Sequence, residues 1–135
     1  MNHILYPMIA LVLWTFVVLF TVPRARFRAG RAGTVTVKDF VAGESERVPE
    51  EARIPNRNYM NLLELPVLFY VACLTLYVTG KAEPVALALA WAFVALRVAH
   101  SVVHLTYNRV MHRMRVFALG VFVLLALWIR IITLL

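Results

Sequence analysis

The chain is poor in charge. Only 16% of its 135 residues are Asp, Glu, Lys or Arg, against 62% hydrophobic, and a soluble domain of this length has too small an interior to hide that much apolar surface. Cysteine is almost absent. Cys73 is the single one, has no partner in the chain for a disulfide, and reads as a small core hydrophobe within an apolar run. Acids are missing where a metal or a nucleophile would need them. His100 and His104 stand four apart with no Asp or Glu beside them and with Arg97 close by to repel a cation, which argues against a metal site. Ser101 has no acidic partner that would complete a catalytic serine arrangement. The net charge of +7 lacks the aromatic and basic surface that nucleic-acid binding needs. Its cations gather in residues 24–57 and 109–115, both connections between apolar runs, so the charge reads as membrane topology.

What is present is hydrophobic length. Residues 4–22 carry no charge, and nineteen helical residues at about 1.5 Å each nearly cross a hydrocarbon layer of about 30 Å. The leader Met1-Asn2-His3 lacks the positive charge of a signal peptide, and Pro23-Arg24-Ala25-Arg26-Phe27-Arg28 follows as a stop-transfer pattern. Four membrane helices are expected, over about 3–22, 56–79, 84–107 and 115–134, in one domain covering residues 1–135. Residues 23–55 form a long polar loop whose basic excess places it in the cytoplasm, with a short amphipathic piece around 35–41. Gly80 and Pro84 mark a tight turn on the opposite side, and Pro66 is expected to kink the second helix. On the third helix, Ala88, Ala92, Ala95 and Ala99 form a small-residue stripe suited to close packing, leaving Arg97, His100, His104 and Asn108 on nearly the opposite face. Arg130, five residues from the end, is expected to snorkel to the interface.

The stretch from Arg57 to Pro66 is the unusual one. Arg57, Asn61 and Glu64 are four and three apart and share a helix face at the start of an apolar run. Charges inside a membrane are costly and usually functional. Glu64 and Arg97 come out at similar depths on antiparallel helices, so they could form an ion pair or share a ligand. Arg57, Arg97, Arg109 and Arg113 outnumber the one intramembrane carboxylate, which suits an anionic ligand held by guanidinium forks. A purely structural network is the competing reading, and a small four-helix drug exporter is disfavoured by the same arginine excess.

Arg57-x-x-x-Asn61-x-x-Glu64 opening the second span, Arg97-Val98-Ala99-His100 in the third, Arg113 before the fourth and a basic loop after the first resemble the MAPEG family, the membrane-associated proteins of eicosanoid and glutathione metabolism, in a bacterial-type member. The resemblance covers essentially the whole chain. It implies an all-α integral membrane protein, a left-handed up-down bundle of four transmembrane helices that forms a homotrimer. It also implies glutathione bound between subunits, a bacterial inner-membrane location, and a transferase or peroxidase acting on hydrophobic small-molecule electrophiles. By the same resemblance Arg24, Arg57, Asn61, Glu64 and Arg97 would hold glutathione, with His100 part of the motif and Arg113 near the sulfur as the catalytic group. His104 stands where a tyrosine is common, with Tyr107 the nearest substitute, and Met114 and Phe117 replace residues that can assist the thiolate. Those departures keep a non-catalytic ligand-binding or scaffold role open.

Overall fold

The computed structural model describes residues 2–135 and is helical, with no strand among those residues. After a 3-10 turn at Asn2–Ile4 come α1 (Leu5–Arg31), α2 (Glu50–Glu64), α3 (Pro66–Val78), α4 (Pro84–Leu105) and α5 (Val110–Leu134). Helices α2 and α3 act as one crossing, so four helical segments are long and apolar enough to span a membrane. Their buried residues repeat at alternating steps of four and three: Leu62, Pro66, Phe69, Cys73 and Leu76 on α2 and α3, Gly120, Leu124, Leu127 and Ile131 on α5. A seven-residue period runs from Ile4 of the 3-10 turn through Leu11 and Val18 of α1. That period packs helices at shallow crossing angles along a continuous seam. Cys73 is fully buried in this seam. Helix α4 packs against α1, α2 and α5.

The helices begin and end elsewhere than hydropathy suggests. Helix α1 runs nine residues past Val22 to Arg31, and α2 begins at Glu50, so the polar loop shrinks to residues 32–49. Arginine and alanine are good helix formers, and a helix that leaves the hydrocarbon has no reason to stop there. Helix α5 likewise starts at Val110, taking in basic residues outside its apolar run. Pro66 interrupts the second span: α2 ends at Glu64 and α3 restarts with Pro66 at its first position, where its missing N–H costs nothing.

The short loop is ordered by one buried carboxylate. Asp39, on the 3-10 turn Val37–Phe40, accepts hydrogen bonds from the Thr36 backbone N–H at 2.7 Å, the Thr36 hydroxyl at 3.2 Å and the Ser45 hydroxyl at 2.8 Å. Those bonds, led by the Thr36 backbone, hold its pKa below the usual carboxylate value. A small second core of Ala29, Val35, Val48 and Ala52 then ties the overhang of α1 to the start of α2.

At the opposite end of the bundle Arg130 reaches the turn between α3 and α4. Its guanidinium donates to both carboxylate oxygens of Glu83, at 3.0 Å from Nη2 and from Nε as well, while Lys81 Nζ donates to the carbonyl of Leu134. The turn between α3 and α4 is thereby clasped to the end of α5. Hydrogen bonding from Arg130 lowers the Glu83 pKa. A carboxyl depressed in the folded state stabilises fully above its unfolded value, near 4.5, and loses that contribution as pH falls through the folded value. Glu83→Gln is therefore expected to lower the thermal midpoint in detergent at neutral pH. The gap to wild type should close on acidification below about pH 4, as a melting series over pH would show.

Candidate functional site

The polar residues of α2 and α4 meet inside the protomer. Helix α2 turns Asn58 fully inward and leaves Asn61 half-buried, while Arg57 and Glu64, on the flanking positions of the same helix, are exposed. From α4, Arg97 is only 1% exposed, and His100, Ser101 and His104 are buried with it. The face expected to stand apart from the packing seam is thus the one the bundle encloses. Ala88, Ala95 and Ala99 of the small-residue stripe lie on the outside, and Ala92 is half-buried. The physical reason lies across the interface: α2 offers hydrogen-bonding partners at matching heights, which the alanine stripe could not use.

Those partners are specific. Arg97 Nη2 donates to the Asn61 backbone carbonyl at 3.2 Å and also to Asn61 Oδ1. Ser101 Oγ donates to Asn58 Oδ1 at 3.1 Å. Arg97 Nε and Nη1, Asn58 Nδ2, and Nδ1 of both His100 and His104 are buried without a hydrogen-bond partner among the described residues. Asn58 and Ser101 were not singled out from the sequence as functional. Their signal is placement: Asn58 sits one helical turn before Asn61, and Ser101 next to His100.

Of the two uses open to Glu64 and Arg97, an ion pair or a shared ligand, the direct ion pair is not formed. Among the described residues the ion pairs are Arg26–Glu44 at 3.3 Å and Arg130–Glu83. Glu64 faces out of the protomer, whereas Arg97 is drawn inward by Asn61. Arg24, Arg57, Arg97 and Arg113 all lack a carboxylate within salt-bridge distance among the described residues.

On the α5 side, Phe117 lies with its ring centroid 5.5 Å from Arg97 Cζ and 5.8 Å from the His100 ring, a cation–π contact extended by a second aromatic neighbour. The His100 and His104 rings meet edge to face at 5.9 Å. Arg113, half-buried, donates from Nη1 to Asn108 Oδ1 at 2.6 Å. Asn108 adopts φ 46°, a left-handed conformation asparagine tolerates well, and so anchors the turn into α5 and the guanidinium together. Tyr107 lies beyond the end of α4, exposed, with its hydroxyl 3.3 Å from His112 Nδ1 instead of turned to His104. Arg24, on the overhang of α1, lines a groove of about 450 Å³ with Arg28, Glu51, Ile54, Leu105 and Thr106, which brings α1, α2 and the end of α4 to one place.

Depth gives Glu64 its significance. From Leu65 to Thr79 the second span offers fifteen uncharged residues, about 22 Å of helix, so a hydrocarbon layer of about 30 Å must also contain Glu64 and Asn61. An exposed carboxylate therefore sits on the outer surface of the protomer, one helical turn from Asn61, which holds the buried Arg97 guanidinium. The MAPEG family model matches residues 4–133, nearly the whole chain. No curated protein and no solved structure matches it. With four apolar crossings and that match along their full length, the chain belongs to the MAPEG family and is a multi-pass integral membrane protein.

Proposed function

We propose that the protein binds glutathione and transfers its thiolate to lipophilic electrophiles dissolved in the bilayer. The observation that carries this reading is Glu64, an exposed ionisable group on the apolar second span, one turn from Asn61, which holds a buried Arg97 whose Nε and Nη1 are unpartnered. A lone carboxylate facing lipid is costly, and a neighbouring copy of the chain closing over it would remove the cost. The single chain would then be one domain of a homotrimer, in the inner membrane of a bacterium with the loop after α1 in the cytoplasm.

Glutathione has two carboxylates and one ammonium, and the unpaired groups fit that inventory. Glu64 takes the ammonium, Arg97 and Arg57 take carboxylates through their guanidinium forks, Asn61 orients Arg97, and Arg24 of an adjoining α1 completes the grip. His100 and His104 line the inner wall. Arg113 stands at the sulfur end. A free thiol has a pKa near 8.5, and each unit of lowering requires about 1.4 kcal/mol of preference for the thiolate. One guanidinium at close range in a low-dielectric site supplies about one to two such units. The thiolate attacks the electrophilic carbon, the new C–S bond forms as the leaving group departs with its electrons, and the thiol proton goes to solvent.

A conjugation assay with reduced glutathione and a hydrophobic aryl halide tests this. Arg113→Ala is expected to lower kcat about 10- to 100-fold, with glutathione affinity changed much less, because the lost interaction acts on the thiolate. Turnover equal to wild type in that variant contradicts the assignment. A second reading, binding without turnover, is favoured by Phe117, which fills the space against Arg97 and His100 with a ring that has no hydroxyl to donate. Saturable glutathione binding with no conjugation of any electrophile would establish it.

A further inference from the structure

The end of the α1 overhang, from Phe27 on, and the loop after it form a surface that the glutathione reading does not use. The charge-free run of α1 ends at Val22, and Phe27 lies five residues on, about 7 Å higher along the helix, which is the level of the lipid headgroups. Phe27 is 72% exposed. Beside it the 3-10 turn presents Val37, 86% exposed, and Val41 just beyond it is 78% exposed. A groove of about 470 Å³ joins these parts, lined by Phe27, Gly30, Arg31, Val35, Val37 and Phe40 among others.

Its charge is one-sided for a structural reason. The two nearby acids are already engaged: Asp39 is turned inward to Thr36 and Ser45, and Glu44 is held by Arg26, whose guanidinium also lies 4.8 Å over the Phe40 ring. Arg31, on the groove wall, and Lys38, next to Val37, are exposed and have no carboxylate within salt-bridge distance among the described residues. Bare apolar side chains interleaved with free cations at headgroup depth match the upper acyl region and phosphate of a lipid, with no counterpart in water.

We infer that this surface binds an anionic phospholipid of the adjoining leaflet, its phosphate at Arg31 and Lys38 and its upper acyl carbons against Phe27, Val37 and Val41. The loop is then an interfacial anchor, held in shape by Asp39, that selects lipid by headgroup charge. Neither cation belongs to the proposed glutathione site, so the two readings stand separately.

Native mass spectrometry of the full chain, released from detergent with equal amounts of phosphatidylglycerol and phosphatidylcholine, tests the selection. Wild type is expected to retain phosphatidylglycerol preferentially, and the Arg31→Gln/Lys38→Gln double variant to lose about 25-fold of that preference, roughly fivefold per cation. An unchanged preference overturns the proposal, as does displacement of the lipid by equimolar inorganic phosphate, which would mark a plain phosphate site. A depth measurement is independent of those variants. A fluorophore on Val41→Cys, with Cys73 buried and shielded from label, is expected to be quenched by headgroup-proximal spin-labelled lipid in liposomes. Quenching by aqueous iodide alone would overturn the anchor.

Discussion

Glu64→Gln is expected to weaken glutathione binding without harming the fold. The side chain is exposed, makes no hydrogen bond or ion pair among the described residues, and Gln keeps its shape and helix propensity. What the change removes is a negative charge for the ligand ammonium in a low-dielectric setting. Losing one charge-assisted contact there costs about 2 kcal/mol or more, which is roughly thirtyfold in Kd. Calorimetric titration of variant against wild type gives the ratio, and a thermal melt of both gives the control. Equal affinities would remove Glu64 from the site. A fallen midpoint with unchanged affinity would assign it to subunit packing.

Arg97→Met is expected to raise stability and abolish binding. Arg97 is enclosed, has no acidic partner within salt-bridge distance, and leaves Nε and Nη1 without acceptors. Burying a charge so incompletely compensated destabilises the bundle, and replacing buried ionic groups with apolar chains of similar volume stabilises proteins by about 1–4 kcal/mol in other settings. Methionine has the length to fill the space between Asn61 and Phe117 and the flexibility to adapt. The variant should therefore melt higher than wild type in the absence of glutathione and fail to bind it. A group kept at a cost in stability and needed for binding is the signature of a functional residue. If the variant melts lower, Arg97 is chiefly a structural pin between α2 and α4, and the structural-network reading gains.

The four crossings were legible from hydropathy because their runs are long and nearly free of charge. Their ends were not, since hydropathy sees where the hydrocarbon stops and not where the helix does, and Arg24 to Arg31 continue the helix on propensity. The orientation of α4 was misread for a related reason. Its alanine stripe and its polar stripe have the same period, so the sequence alone does not say which one faces the bundle. Asn58 and Asn61 on α2 decide it, and they lie more than thirty-five residues away. Distance in the chain also hid the clasp between Glu83 and Arg130. Conversely, the cluster of Arg57, Asn61, Glu64 and Arg97 was visible as chemistry in the wrong solvent. Its geometry was not: Asn61 and Arg97 meet, while Glu64 and Arg57 point outward.

That outward pair concentrates the functional claim in one place, the exposed side of α2. Titration of reduced glutathione into the purified wild-type protein, followed by heat and by thiolate absorbance together, addresses it most directly. The account predicts saturable heat and a thiolate band that grows with occupancy at neutral pH. Neither heat nor thiolate at millimolar glutathione, with the protein folded by its melting curve, would contradict it.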